Sequence, residues 1–241
     1  MKKALIVQGG WDGHEPVLVA ERFAAILRAE NFEAEISDTL DSFLDMEKLK
    51  ALDLIIPVWT MGEISKEQCE SVSEAVASGV GVAGCHGGMC DAFRGSVLWQ
   101  FMTGGNWVSH PGGDGVKYTV NIKNSTSPLV AGISDFEVSS EHYYLHIDPA
   151  VEVLATTQFP APSVKWYHSV NKQVEMPVVW TKRWAHGRVF YNSLGHQNNV
   201  FEIPEAIEIM KRGMLWAAEG KRVAVEQGLT LDEFATDKKM F

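Results

Sequence analysis

The chain has 241 residues, of which 46% are hydrophobic and 22% are charged, a composition typical of a globular protein with a full core. Its formal net charge of −10 argues against the basic surface that nucleic acids and anionic membranes require, so neither partner is expected. No apolar run is long enough to span a membrane. The three cysteines fit no zinc or disulfide spacing, which indicates free thiols and a cytoplasmic location.

The first 90 residues alternate strand and helix patterns three times. Continuous apolar runs predict buried strands at 4–7, 54–59 and 80–83. Apolar residues at helical spacing follow Pro16 and predict an amphipathic helix over about 16–30. A second helix begins at a capping-box pattern over 65–68. This alternation predicts a parallel sheet with right-handed crossovers.

The middle of the chain changes in character. Five glycines within 104–115 predict a loop, and the alternation over 116–122 predicts a strand. Another strand is expected at 151–157. Prolines and aromatic residues at about 158–175 indicate an inserted β-hairpin arm that is partly exposed.

The C-terminal part closes the domain. Apolar runs at 177–181 and 188–193 predict a hairpin whose Gly187 takes a positive φ. Pro204 begins a last helix. We expect one α/β domain over residues 1–220 and a charged tail over 221–241. The aromatic arm and the tail favour a homo-oligomer.

The segment Gly84-Cys85-His86-Gly87-Gly88 follows a buried strand and leads into a helix. Such a turn raises one side chain above the sheet edge. With His86 at the tip, the residue could act as a general acid or base, a hydrogen-bond donor or a metal ligand. With the register shifted by one, Cys85 would be a nucleophile at a helix N-terminus; otherwise it is a small core residue.

Other unusual residues also follow predicted strands. Gly9 and Gly10 follow the first strand, Trp59 closes the second and His196 follows the last. Because the carboxyl ends of parallel strands meet at one edge, we expect a site there.

Loops supply further candidates for this site. Trp11, Trp59 and Tyr143 could pack against a sugar ring, and His14 and His110 could overhang it. Glu141 could orient a histidine or accept a sugar hydroxyl. His14, His86, His196 and Glu141 together could bind zinc or a similar divalent ion, although no tight metal-binding motif is present.

The elbow at 84–88, the segment Gly187-Arg188-Val189-Phe190-Tyr191 with Gly195-His196, and the helix end Arg212–Ala217 resemble the trehalose-utilisation (ThuA-like) family over roughly residues 3–219. The resemblance implies a class I glutamine amidotransferase-like fold, which is a flavodoxin-like three-layer sandwich with a mostly parallel sheet. It also implies a role in carbohydrate metabolism.

The amidotransferase elbow reads Gly-x-Cys-x-Gly, and an ungapped match places His86 at the nucleophile position. Asn198 stands where those enzymes carry an acid, so glutaminase chemistry is not expected. Three hypotheses follow. In the first, the protein binds a sugar or keto-sugar and uses His86, His196 and Glu141 for acid–base or metal-assisted chemistry. In the second, it is a carbohydrate-binding or regulatory protein without catalytic activity. In the third, it is a hydrolase that uses Cys85.

Overall fold

The computed structural model describes residues 1–167 and 172–235, which contain eleven β-strands and six α-helices. The strands are β1 (Lys2–Gly10), β2 (Phe32–Ser37), β3 (Leu54–Thr60), β4 (Gly81–Cys85), β5 (Gly105–Ser109), β6 (Val116–Ile122), β7 (Phe136–Ser140), β8 (Tyr144–Ile147), β9 (Glu152–Phe159), β10 (Val174–Trp184) and β11 (Gly187–Asn192). The helices are α1 (Pro16–Ala29), α2 (Met46–Lys50), α3 (Lys66–Ala77), α4 (Gly87–Cys90), α5 (Val97–Thr103) and α6 (Pro204–Glu226).

Nine strands form one sheet in the order β2-β1-β3-β4-β11-β10-β9-β6-β7, and β5 pairs with β8 separately. The five strands from β2 to β11 are parallel to one another. Their order is the flavodoxin-like 2-1-3-4-5 arrangement, which places ligand sites at the carboxyl edge. The remaining four strands are antiparallel and extend the sheet on one side.

Four of the five parallel strands, β1, β3, β4 and β11, are largely buried on both faces, which makes the fold a three-layer sandwich. In β1, Ala4 and Ile6 pack into a core with α1 and α6, whereas Leu5 and Val7 pack into a second core with α3 and α5. Successive side chains of a strand point to opposite faces, so a continuous apolar run is required here. The predicted fold class and the strand–helix alternation are confirmed.

Local signals in the N-terminal half also agree with the structure. Pro16 occupies the first turn of α1, as predicted. The Ser65 hydroxyl accepts from the backbone N–H of Gln68, and the Gln68 side chain accepts from the backbone N–H of Ser65. This reciprocal capping box begins α3 at the predicted position.

Two expectations for the middle and the C-terminal part of the chain need correction. The segment 104–115 is not entirely loop, because Gly105–Ser109 pairs with β8. The positive φ of the β10–β11 turn lies at Ala185 rather than Gly187. Gly187 is required for space instead, since a Cβ there would lie 2.1 Å from the Val76 carbonyl oxygen.

The expected arm at about 158–175 forms the connection between β9 and β10, both of which belong to the main sheet. Part of it, residues 168–171, lies outside the described residues. Helix α6 continues to Glu226, so the predicted boundary at 220 falls inside this helix, and Ala224 is buried.

Among the described residues, no helix combines the length and apolarity that crossing a membrane requires. Assembly into a homo-oligomer stays a prediction that light scattering would test.

Candidate functional site

His86 stands at the tip of the turn that joins β4 to α4. Its backbone has φ 45° and ψ −136°, a strained conformation for a residue with a Cβ. The neighbouring glycines supply space rather than unusual angles. A Cβ on Gly87 would lie 2.6 Å from the His14 ring, and one on Gly88 would lie 2.9 Å from the Val58 Cα. The elbow therefore presents the His86 imidazole at the edge of the sheet. Its glycines leave room for the His14 ring and for strand β3.

Four buried side chains from separate parts of the chain converge beside this tip. His14 comes from the loop after β1, His196 from the loop after β11, and Glu141 from the connection between β7 and β8. The Glu141 Oε2 lies 3.1 Å from Nε2 of His86, 3.3 Å from Nδ1 of His196 and 3.8 Å from Nε2 of His14. We call these four residues the His/Glu cluster.

Each imidazole of the cluster also faces a polar group on its outer side. Nδ1 of His86 donates to the Ser193 carbonyl oxygen at 2.8 Å. Nδ1 of His14 shares a hydrogen bond with the Thr60 hydroxyl at 2.8 Å. Nε2 of His196 lies 3.9 Å from the Asp114 carboxylate. The carbonyl partner of His86 fixes the proton of that neutral ring on Nδ1, and the Thr60 hydroxyl holds the orientation of the His14 ring.

Two of the three inward nitrogens lack hydrogen-bond partners. Nε2 of His14 and Nδ1 of His196 are buried and unpartnered in the structure. Since the proton of a neutral His86 lies on Nδ1, its Nε2 turns a lone pair toward the Glu141 carboxylate. Two facing lone pairs repel each other unless a cation lies between them.

Burial and pairing set the charges of the cluster. Burial lowers the pKa of His86 to about 4, although the hydrogen bond with Glu141 opposes this effect. Burial alone would raise the pKa of Glu141, but the three adjacent imidazoles of His14, His196 and His86 outweigh it and hold that pKa well below its usual range. Near pH 7, Glu141 is therefore a carboxylate and His86 is neutral.

The donor set fits a transition metal. The inward ligand atoms of His14, His86, Glu141 and His196 all lie within 4.8 Å of one another. Ligand atoms in a tetrahedral zinc site with bonds near 2.1 Å are about 3.4 Å apart. Three imidazoles and one carboxylate also match the nitrogen and oxygen preference of zinc and similar ions.

Aromatic side chains surround the cluster. Tyr143 stacks on His86 with ring centroids 3.9 Å apart. The Trp11 ring lies 4.7 Å from His14 and 6.5 Å from His196, and this residue is 46% exposed. Nε2 of His110 lies 3.7 Å from Oε1 of Glu141. The structure thus brings all three of these predicted residues to one site.

The other residues expected to bind substrate have packing contacts in the structure. A Cβ on Gly9 would lie 2.6 Å from the Trp59 ring, and one on Gly10 would lie 2.1 Å from the Thr60 carbonyl oxygen. Trp59 precedes Thr60 on β3, and successive side chains of a strand point to opposite faces. Since Thr60 contacts His14, Trp59 points away from the cluster. A ligand contact for Gly9, Gly10 or Trp59 stays a prediction.

Cys85 lies beneath the elbow rather than in the crevice. It is 2% exposed and packs in the core below α6 with its Sγ close to Gly195. Burial raises the pKa of this thiol to about 12, so it remains protonated near neutral pH. The environment opposes the role of nucleophile that one hypothesis assigned to it.

A cavity of about 690 Å³ lies between the segments 61–66 and 93–98. Its lining includes Arg94 and is largely apolar, and the four cluster residues are not among the residues that line it. This cavity is therefore separate from the polar site.

Sequence reasoning missed the outer partners of the histidines. Thr60 directly follows the singled-out Trp59, and Asp114 lies in the glycine-rich loop that was singled out for His110. The Tyr118 hydroxyl donates to the Glu141 carbonyl oxygen at 3.0 Å and anchors the segment that carries the carboxylate. Only strand-end position and loop composition could have indicated Thr60 and Asp114.

Fold and site together define a flavodoxin-like α/β protein with a buried three-histidine, one-carboxylate cluster at the carboxyl edge of its sheet. The sequence model of the ThuA family, described as trehalose utilisation, matches residues 3–217, and the chain belongs to this family. The predicted resemblance is confirmed. Membership indicates a role in sugar metabolism related to trehalose utilisation.

Solved structures agree with this fold. A ThuA-like protein from Bacteroides uniformis has a TM-score of 0.71 and 20% identity, with 90% of this chain and 91% of that chain covered. A ThuA-like protein from Parabacteroides merdae has a TM-score of 0.65 and 19% identity, with 91% and 90% covered. At these identities the likeness shows the fold alone. Comparison with curated proteins finds no significant sequence match.

Proposed function

We propose that this protein acts on a sugar or keto-sugar in trehalose-related metabolism by holding a divalent metal ion, zinc or a similar one, on the His/Glu cluster. The observation that carries the proposal is the inward convergence of nitrogen atoms from three imidazoles onto one buried carboxylate. Buried polar atoms without partners are uncommon in proteins, and a shared cation satisfies all of them at once.

A metal ion accounts for the geometry better than a proton does. A proton between His86 and Glu141 would satisfy that one contact at 3.1 Å. It would leave Nε2 of His14 and Nδ1 of His196 buried without a partner. The outer hydrogen bonds of His86 and His14 orient both rings as ligands, the arrangement typical of metal-binding histidines.

The surroundings suit a neutral carbohydrate. The half-exposed Trp11 offers a flat apolar face beside two cluster histidines, and sugar rings pack well on such faces. Among the described residues, no lysine or arginine forms an ion pair with the cluster, whose charged contacts outside itself are with Asp114 and His110. Within the described part of the chain, the cluster therefore lacks the cationic side chains that a phosphorylated or acidic sugar would need. A bound metal ion would polarise a carbonyl or hydroxyl oxygen of the sugar.

The chain's own residues then have defined tasks. The three histidines fix the ligand geometry, and Glu141 supplies the negative charge that balances the cation. Tyr143 packs on His86 and excludes water from one side of the cluster. The pair Thr60 and Ser193 keeps two of the rings in their orientation.

The test begins with metal content. Protein stripped with a chelator is reloaded with zinc, and bound metal is measured by mass spectrometry and titration calorimetry. We expect one ion per chain, a loss of that ion in His196→Ala, and no change in His146→Ala, where the altered histidine is exposed on β8. Absence of stoichiometric binding by zinc, manganese, cobalt or nickel would overturn the metal assignment.

Activity is then measured with trehalose and with a keto derivative of trehalose, and products are followed by NMR. Metal-dependent product formation is the expected result. Sugar-dependent thermal stabilisation without any product would instead support the non-catalytic carbohydrate-binding alternative.

A further inference from the structure

The glycine-rich loop after β5 carries a histidine whose hydrogen bonding has a fixed direction. The indole Nε1–H of Trp107 donates to Nδ1 of His110 at 3.2 Å. An indole nitrogen is only a donor, so Nδ1 of His110 must accept. The proton of the neutral imidazole therefore lies on Nε2.

This Nε2–H lies near the His/Glu cluster but makes no hydrogen bond with Glu141. Nε2 of His110 lies 3.7 Å from Oε1 of Glu141, which is beyond hydrogen-bond distance. The side chain is 38% exposed, so a ligand can reach it. A substrate oxygen placed beside His110, on the open side of the cluster, could accept a hydrogen bond from this donor.

The orienting residue is itself held firmly. The Arg94 guanidinium lies over the Trp107 ring at 4.2 Å from the centroid. The same guanidinium pairs with both carboxylate oxygens of buried Asp91, including Nη2 to Oδ2 at 3.0 Å. The cation over the indole face also polarises its N–H, which strengthens the hydrogen bond to His110.

We propose that His110 is a fixed hydrogen-bond donor for a partly negative substrate oxygen, such as a carbonyl or an alkoxide, and that Trp107 is its positioning residue. The oxygen would lie beside Nε2–H of His110, on the open side of the cluster and within reach of its metal ion, so this role rests on the proposed function. A preoriented donor beside a developing negative charge stabilises it without reorganisation during the reaction. Because Nδ1 of His110 accepts from Trp107, the proton lies on Nε2, and this nitrogen can donate to a substrate oxygen but cannot accept.

The first arm of the test reads the tautomer directly. Long-range 15N–1H NMR spectra near neutral pH, on zinc-loaded and on chelator-treated protein, are expected to show His110 protonated at Nε2 and bare at Nδ1. Trp107→Phe keeps an aromatic ring but removes the donor, and should give a mixture of tautomers. Trp184→Phe, which removes an indole hydrogen bond to Ser73 far from the site, should not. A proton on Nδ1 in the native protein would overturn the proposal.

The second arm reads the ligand contact. Titration with trehalose or its keto derivative should shift the Nε2 resonance of His110 and leave exposed His146 unchanged. With the sugar that is turned over, His110→Ala should lower kcat about 100-fold, and His110→Gln, which retains a donor, should recover part of it. No response of His110 to either sugar would refute this role. Failure of zinc binding with the expected tautomer intact would count against the proposed function and not against the tautomer.

Discussion

Nε2 of His86 lies 3.1 Å from Oε2 of Glu141, while Nδ1 of the same ring donates to the Ser193 carbonyl oxygen. The ring thus turns its unprotonated nitrogen toward a buried carboxylate. Because His14 and His196 add two more inward nitrogens, one cation can satisfy four groups that would otherwise repel one another or lack partners. The predictions below test this arrangement and the fold that supports it.

Replacing Glu141 with Gln keeps the side-chain volume but removes the negative charge from the centre of the cluster. We expect zinc affinity to fall by more than the roughly 10–100-fold that is typical when only an outer partner of a metal ligand is lost. Calorimetric titration measures the change. Glu137→Gln, on the exposed face of β7, is the matched control and should bind zinc normally. Equal affinity in both variants would contradict the role of Glu141 as a ligand.

Thr60→Val tests the outer hydrogen bond of His14, which is 2.8 Å long. The substitution removes the hydroxyl at nearly constant volume, so the ring loses its orientation while the ligand remains. Zinc affinity should fall about 10–100-fold. Thr103→Val removes another buried hydroxyl, one that donates to the Trp99 carbonyl oxygen at 2.9 Å. It should reduce thermal stability without changing zinc affinity; a similar loss of affinity in both variants would indicate a general structural effect.

Cys85 should resist alkylation in the folded protein. Its pKa of about 12 leaves roughly one thiol in 10⁵ ionised at pH 7, and burial blocks access to the reagent. Mass spectrometry after iodoacetamide treatment should find Cys85 unmodified until the protein is unfolded in urea. Rapid modification of native Cys85 would revive the cysteine hydrolase hypothesis.

Gly81 marks the point where β4 crosses α6 at backbone contact. A Cβ there would lie 2.3 Å from the Ala217 carbonyl carbon and oxygen, so Gly81→Ala must displace a strand or a helix. We expect a loss of about 1–3 kcal/mol in the free energy of unfolding, measured by urea denaturation. At Gly95 a Cβ meets no atom within 4 Å, and Gly95→Ala should leave stability nearly unchanged.

The ion pair between Lys182 and Asp148 should make the free energy of unfolding depend on pH in the acidic range. Their side chains are 2.6 Å apart and largely buried. Burial raises the pKa of Asp148, but the hydrogen bond from Lys182 outweighs it and the net pKa is lowered. A lowered folded-state pKa stabilises the protein above the unfolded-state value near 3.8, and this contribution is lost as the pH falls through the folded-state pKa.

Asp148→Asn should therefore reduce the free energy of unfolding by roughly 1.5–3 kcal/mol at neutral pH. The difference from the native chain should begin to shrink as the pH falls below about 3.8, where the unfolded carboxyl is protonated, and should vanish once the pH is below the lower folded-state pKa. Urea denaturation across this pH range measures the effect. A difference that does not vary with pH would show that the ion pair is not its source.

The fold could be predicted because its signals are local. Continuous apolar runs such as 54–59 specify strands buried on both faces, and Pro16 and the capping box at Ser65 specify where helices begin. The short strand β5 was not predicted because its sequence, which begins with Gly105, has no period-two pattern. It forms a strand because it pairs with β8. The positive φ was assigned to Gly187 because glycine favours that conformation, but it lies at Ala185. The glycine at 187 is explained instead by its close contact with Val76.

Strand order alone predicts the edge of the sheet that carries the candidate site, because the parallel strands that lead to His14, His86 and His196 have their carboxyl ends at the same edge. The arrangement of the side chains at that edge depends on contacts that only the folded chain makes. The tertiary structure brings Glu141 from an antiparallel extension of the sheet to within 3.1 Å of His86, and it sets ring orientations through Ser193 and Thr60. Spacing along the chain contains neither quantity, since both arise from contacts between segments that are far apart in sequence.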